Sequence, residues 1–276
     1  MSRAFRADAL DPAAASPCQP HSTEPRYLAG DSDRTPLADC VPVTEYHWTH
    51  WRNSLGEEFA CSPSGQIRLA RLTTPYTDYP WQIVSHWDPF APARPDWTAY
   101  FSWGTPRELL NDWLGALAAT HSGDERLDPL LAQALPSQFA LAPLAEAGWQ
   151  HDSRPECTSY TSPDGLATVL LEGNTADPEQ EDPFGWSISV THGESSWDAR
   201  LGRRTPPLLI RAAVQALAST EPALRHRHEL PGDLGPRLCA ARAVPGTVSD
   251  PGTSTPPHLR INQPDPTNAP APSRRR

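Results

Sequence analysis

Five groups of side chains carry residue types at spacings that can do chemistry. His47-x-x-His50 with Cys61 brings two imidazoles and a thiol, donors that suit zinc. A structural zinc site takes a fourth ligand, and none stands at a matching spacing. His192-x-Glu194 and His226-x-His228-Glu229 are looser versions of the same theme and read as exposed polar positions. Asp164, in Ser162-Pro163-Asp164-Gly165, places a carboxylate beside a glycine. A calcium loop needs several carboxylates at alternating positions, and none follows, so the tetrapeptide reads as a hairpin turn. Arg200, Arg203, Arg204 and Arg211 are the phosphate-binding residue type. They lie in a stretch, residues 148–220, with 5 arginines against 10 acidic residues, which favours pairing within the chain. Neither a G-x-S-x-G elbow nor a Walker glycine loop occurs. The expectation is therefore no catalytic, metal-binding or cofactor-binding residue, and an enzyme is disfavoured.

The elements that position these groups are written twice. Trp97-Thr98-Ala99, Thr105-Pro106 and Ala116-Leu117-Ala118 recur 100 residues later as Trp197-Asp198-Ala199, Thr205-Pro206 and Ala216-Leu217-Ala218. In the first stretch Ser62-Pro63-Ser64-Gly65 is a turn. Ile67/Leu69, Trp81/Ile83 and Trp97/Ala99/Phe101 alternate with their neighbours as strands with one buried face do. Thr105, Pro106 and Glu108 have the order of a helix N-cap, N1 and a capping-box glutamate, and Leu109, Trp113, Leu114 and Leu117 form one apolar stripe. In the second stretch Thr158–Thr161 leads into the Ser162–Gly165 turn. Ala167/Val169/Leu171, Trp186/Ile188/Val190 and Trp197/Ala199/Leu201 alternate, and a helix starts at Thr205-Pro206-Pro207 with Leu209, Ala213, Ala216 and Leu217 on its stripe. Cys40-Val41-Pro42-Val43 reads as extended chain. Arg225-His226-Arg227-His228 is a candidate continuation of the last helix.

This predicts an α+β protein of two tandem repeats, each an antiparallel sheet of about four strands with a C-terminal helix on one face. Residues 1–25 are expected to be disordered. Residues 26–120 hold the first repeat with the lead-in Arg26-Tyr27-Leu28-Ala29-Gly30, residues 121–147 connect, residues 148–220 hold the second repeat, and residues 221–276 form a largely disordered Pro/Arg-rich tail. The apolar fraction of 38% and the 33 prolines fit a chain that is packed only in part. All 23 basic residues are arginine, and the net charge is −10. An acidic body repels phosphate backbones, so nucleic-acid binding is disfavoured except through the tail, which has 8 arginines against 5 acidic residues. Five cysteines without a C-x-x-C pair, no apolar leader and no membrane-length apolar run point to a reduced, cytoplasmic protein without a membrane segment.

These residues resemble a family of actinomycete domains named SPDY after its turn motif, a family of unknown function often found in tandem copies. The second copy carries the resemblance in Gly148-Trp149, Ser162-Pro163-Asp164-Gly165, Trp186-Ser187-Ile188, Trp197-Asp198-Ala199 and Thr205-Pro206-Pro207. The first carries it in Trp51, Ser62-Pro63-Ser64-Gly65, Trp81-Gln82-Ile83, Trp97-Thr98-Ala99 and Thr105-Pro106, with Tyr27-Leu28-Ala29-Gly30 as lead-in. Ser64 departs from the motif's aspartate, so an aspartate-dependent role is not shared by both copies. The resemblance implies an actinomycete, cytoplasmic origin and supplies no activity.

Shared residues read as scaffold, so function is sought where the copies differ. Trp48, Trp87, Trp103 and Trp113 have no counterpart tryptophan in the second copy. Tyr100 stands against Arg200, Trp103 against Arg203, and Trp113 against Ala213. The candidate partner-binding residues are Trp87, Trp103, Trp113, Tyr100, Arg200, Arg203 and Arg204. The expected function is a non-catalytic protein-interaction or regulatory module. The alternatives are a regulatory nucleic-acid binder using the arginines of the second copy and tail, or an enzyme with a site between the copies.

Overall fold

The computed structural model describes residues 20–23, 25–29, 35–86, 95–121, 137–172, 184–193 and 195–226. The expectations for residues 1–19, for Glu194, for the tail beyond His226 and for Trp87 lie outside these residues.

Ten strands form one antiparallel sheet. From one edge the order is β2 (Thr49–Arg52), β3 (Glu58–Cys61), β4 (Ile67–Arg71), β5 (Trp81–Ser85), β6 (Trp97–Phe101), β11 (Ser195–Gly202), β10 (Phe184–His192), β9 (Ala167–Glu172), β8 (Cys157–Thr161) and β7 (Gln150–Ser153). Each half is a meander, and the halves meet where β6 pairs with β11, Tyr100 opposite Arg200 and Phe101 opposite Ala199. The expectation of separate sheets of about four strands is corrected here: the strands share one sheet, five from each half. The additional strands are the edges β2 and β7, whose burial does not alternate and whose sequences therefore lack a period-2 signal. A separate two-stranded sheet joins β1 (Pro20–Thr23) to β12 (Ala223–His226), so residues 225–226 are strand, not a continuation of the last helix.

One face of the sheet carries the helices. Trp97, Ala99 and Phe101 are buried on β6, as are Trp197, Ala199 and Leu201 on β11 and Trp186, Ile188 and Val190 on β10. Trp113 of α2 (Arg107–His121) is fully buried, edge-on to Trp97 at 6.4 Å and to Phe101 at 5.1 Å. Removing its ring would cost about 3–5 kcal/mol in a well-packed core. Helix α2 packs on α4 (Pro207–Ala218), and α4 packs on α3 (Ser137–Glu146). No helix among the described residues is long and apolar enough to cross a membrane.

Local chemistry explains the ends. Gly65 and Gly165 sit at φ +74° and +75°, each donating its N–H to the carbonyl of Ser62 or Ser162 at 2.9 Å, so both turns form as read. At the start of α2 the Thr105 hydroxyl donates to the Ser102 carbonyl at 2.9 Å, and Glu108 meets Arg107 at 3.3 Å. Val41–Thr44 is one helical turn, α1, instead of extended chain. Pro42 lies in its first turn, where a missing N–H leaves no bond unmade. His47 (φ +56°) and Gly148 (φ +77°) both turn the chain in the left-handed region immediately before a buried tryptophan, Trp48 or Trp149. Trp48 therefore holds the place that Trp149 holds, which corrects the assignment of Trp51 to that role.

Candidate functional site

The second face of the sheet carries no described helix, and one register row crosses all ten strands on it: Trp51, Phe59, Ala70, Gln82, Tyr100, Arg200, Ser187, Leu170, Ser159 and Asp152. In the first half the row is aromatic or apolar except for Gln82, while in the second half it reads Arg200, Ser187, Leu170, Ser159 and Asp152. At the outer end Trp51 stacks on Phe59 at 5.6 Å.

The turns at one end of the first half extend this surface. Among the described residues, the exposed large apolar side chains are Trp51 (46% exposed), Leu55 (76%) and Tyr76 (95%). Asn53 fastens the β2–β3 turn: its Oδ1 accepts the N–H groups of Leu55 and Glu57, and its Nδ2 donates to Glu57. The Thr73 hydroxyl reaches the Leu55 carbonyl at 3.4 Å, joining that turn to the β4–β5 loop. The same loop is held at its other side by Trp103, whose indole donates to the Thr77 carbonyl at 2.7 Å.

Where the loop returns to the sheet, Tyr79 sits edge-on to Tyr100 at 6.0 Å, and its hydroxyl donates to the Asp198 carboxylate. The Arg200 guanidinium lies over the Tyr79 ring at 5.5 Å and 3.6 Å from Asp198. Burial, then the adjacent Asp198 carboxylate, pushes the Tyr79 phenol up to about 12. It therefore acts as a protonated donor at neutral pH, not as a nucleophile or base. The cluster spans the β6–β11 seam and fixes the loop against both halves.

The sequence-derived candidates separate. Tyr100 and Arg200 meet Tyr79, and Trp103 holds the same loop at Thr77. Arg203 and Arg204 are exposed at the opposite end of the sheet, on the β11–α4 turn, with Arg203 packed over the backbone of Gly185. Trp113 has no exposed surface and contributes to the core. Arg211 donates to the Phe139 carbonyl at 2.8 Å and lies over that ring at 4.6 Å, tying α4 to α3 and leaving the proposed basic patch. Among the described residues no three His, Cys, Asp or Glu side chains gather as a metal site. Sequence reasoning missed Leu55, Tyr76 and Tyr79. The only signal was the run Thr73-Thr74-Pro75-Tyr76-Thr77-Asp78-Tyr79-Pro80, two tyrosines in a loop with no apolar period to bury them.

Asp164 has a different role. Its Oδ1 accepts the Ser162 hydroxyl at 2.5 Å and the Leu166 N–H at 3.1 Å, and its Oδ2 accepts the Tyr27 hydroxyl at 2.7 Å. Burial raises its carboxyl, but these donors together outweigh it and hold the group below the usual carboxylate range.

A family model described as SPDY, a domain of unknown function (DUF317), matches residues 161–223. That stretch runs from the end of β8 to the start of β12 and contains the Ser162–Gly165 turn. Neither a curated protein nor a solved structure matches the chain significantly.

Proposed function

We propose that the chain is a non-catalytic protein-interaction module built from a duplicated SPDY-type domain, and that its partner docks on the aromatic surface at the turn end of the first half. The observation that carries this reading is the exposure of Leu55 and Tyr76 on adjacent turns and of Trp51 at the end of the neighbouring edge strand β2, on the same end of the first half as Tyr79, Trp103 and the Tyr100–Arg200 seam. Tryptophan, tyrosine and arginine are the residue types that dominate interface energetics, and a monomer gains nothing from exposing large apolar groups together. The first half as a second copy of the domain is part of the proposal. Its support is the mirrored strand order, the matching glycine turns, and the left-handed His47 and Gly148 before Trp48 and Trp149. We also read the protein as actinomycete and cytoplasmic, in keeping with the unbridged Cys40, Cys61 and Cys157 and the lysine-free composition.

The test compares two surface variants in capture from a native lysate. One is Trp51→Ser/Leu55→Ser/Tyr76→Ser, and the other Arg203→Ser/Arg204→Ser. The Leu55, Tyr76 and Arg204 substitutions are expected to change stability by no more than about 0.5 kcal/mol each, and loss of the Trp51–Phe59 stack by about 0.5–1.5 kcal/mol. One identified protein should be lost with the first variant and retained by the second. Recovery of nucleic acid that depends on Arg203 and Arg204 would replace this reading with the nucleic-acid alternative. Capture unaffected by either variant would refute both surfaces.

A further inference from the structure

The segment Pro25–Ala29 precedes the first half in sequence; Tyr27 packs on the second half, while Arg26 pairs with Asp112 of the first. We propose that this segment is a strap that opens and closes on the second half without global unfolding, and that Asp164 of the Ser-Pro-Asp-Gly turn is its latch. The inference stands independently of the aromatic surface.

Side chains make the attachment. The Tyr27 hydroxyl donates to Asp164 at 2.7 Å, the Trp197 indole donates to the Tyr27 carbonyl at 2.9 Å, and Arg26 pairs with Asp112 of α2 at 2.9 Å. The Tyr27 ring meets Trp149 edge-on at 6.2 Å. The strap's own amides close within it, Leu28 N–H to the Pro25 carbonyl and Ala29 N–H to the Arg26 carbonyl, both at 3.1 Å. Strand β1, just before it, pairs with β12 in the two-stranded sheet and not with the ten-stranded one. Tyr27, Leu28 and Ala29 are buried, but among the described residues no ladder bond ties them to the ten-stranded sheet, and a segment outside a ladder opens at lower free energy than one woven into it.

The two halves isolate what Asp164 adds. In the first half Ser64 stands at the corresponding place, its Oγ 3.1 Å from that of Ser62, and the Ser62 hydroxyl still accepts the Ile67 N–H at 3.1 Å. The turn thus closes without a carboxylate. In the second half Ser162 makes the same bond to the Ala167 N–H at 2.9 Å, and Asp164 brings in addition the bond to Tyr27. Because Ser162 and Leu166 hold Oδ1, the latch stays formed when the strap lifts. The uncovered surface then presents an indole donor, the Trp149 ring and a carboxylate acceptor, the complement of a tyrosine-bearing segment.

Native-state hydrogen exchange on the full chain, followed by NMR at increasing low denaturant, tests this. In the wild type the Leu28 and Ala29 amides should exchange faster than those of Ile83, Ala99 and Ile188, with little denaturant dependence. Tyr27→Phe keeps the ring and removes the hydroxyl, and Asp164→Ser installs the residue the first-half turn folds with. Losing a hydrogen bond to a carboxylate should speed strap exchange about 10- to 100-fold, with the Ile83, Ala99 and Ile188 amides unchanged. If Leu28 and Ala29 exchange only with the core, or both variants speed every amide alike, the strap is part of the cooperative core and the proposal is wrong.

Discussion

Glu58 offers the sharpest test of how the first half is held together. It lies on β3 with 2% of its side chain exposed. Its Oε1 meets Arg52 at 2.5 Å, and its Oε2 accepts the Leu37 N–H at 2.7 Å and faces Arg71 at 3.4 Å. Replacing it by alanine strands the buried Leu37 donor, which costs about 1–3 kcal/mol. It also takes a carboxylate from Arg71, whose side chain is 13% exposed and which keeps the Trp81 face at 5.8 Å. Arg52 is 58% exposed, so its share is that of a surface pair, about 0.2–1 kcal/mol. Together Glu58→Ala should destabilise by about 3–5 kcal/mol, the usual scale for breaking a buried pair. At about 2–4 °C per kcal/mol for a chain of this size, that is a drop in Tm of roughly 10 °C. Glu58→Gln keeps an acceptor for Leu37 and should cost about half as much. Burial raises the Glu58 carboxyl, but the Leu37 amide and the two arginines outweigh it and hold it below its ordinary value. Its contribution is therefore complete above the unfolded carboxylate pKa of about 4.3 and lost as pH falls through the lower folded value. Urea titrations of wild type and both variants between pH 7 and pH 3 should show the gap to Glu58→Gln closing only at the acid end. A Gln variant as stable as wild type at pH 7, or a gap that is flat in pH, would refute this account.

Two further predictions concern backbone geometry. A Cβ on Gly185 would lie 2.5 Å from Arg203 Cγ and 3.0 Å from Arg203 Cα, so Gly185→Ala should cost about 1–3 kcal/mol, read by chemical denaturation. Arg203→Ala should relieve only part of that, since the backbone contact remains. His47→Gly should stabilise by about 0.5–1 kcal/mol and Gly148→Ala destabilise by a similar amount. Both positions are left-handed, and a Cβ on Gly148 meets nothing within 4 Å, so conformational strain alone sets the effect.

What was legible in the sequence follows from what leaves a period. The strands carrying Ile67, Ile83, Ala99, Val169, Ile188 and Ala199 bury one face, so alternation found them. The edges β2 and β7 bury too little to alternate, so no period marks them. The left-handed turn at residue 47 is filled by histidine where residue 148 is glycine, which hid the match between Trp48 and Trp149. Tyr100 and Arg200 stand a hundred residues apart at matching places in the two halves, and the register sets them directly opposite each other at the seam. Trp113 was a surface candidate because Ala213 stands against it, yet its stripe position already made it core. The docking of Tyr27 on Asp164 and Trp197 spans 137 and 170 residues, and no local pattern encodes contacts of that separation.

The seam between β6 and β11 has a consequence during synthesis. When the ribosome has released the first half, β6 presents Trp97–Phe101 as an unpaired apolar edge, because the strand that covers it lies about a hundred residues further on. At roughly 5–20 residues per second that edge waits about 5–20 s for β11. Throughout that interval it is the template on which strands of neighbouring nascent chains can add. Tyr27 waits as well, since Asp164 and Trp197 are made after the first half is complete. The joining of the centre is therefore a late event of folding, and conditions that slow translation of residues 122–195 should lower soluble yield more than those that slow residues 1–96.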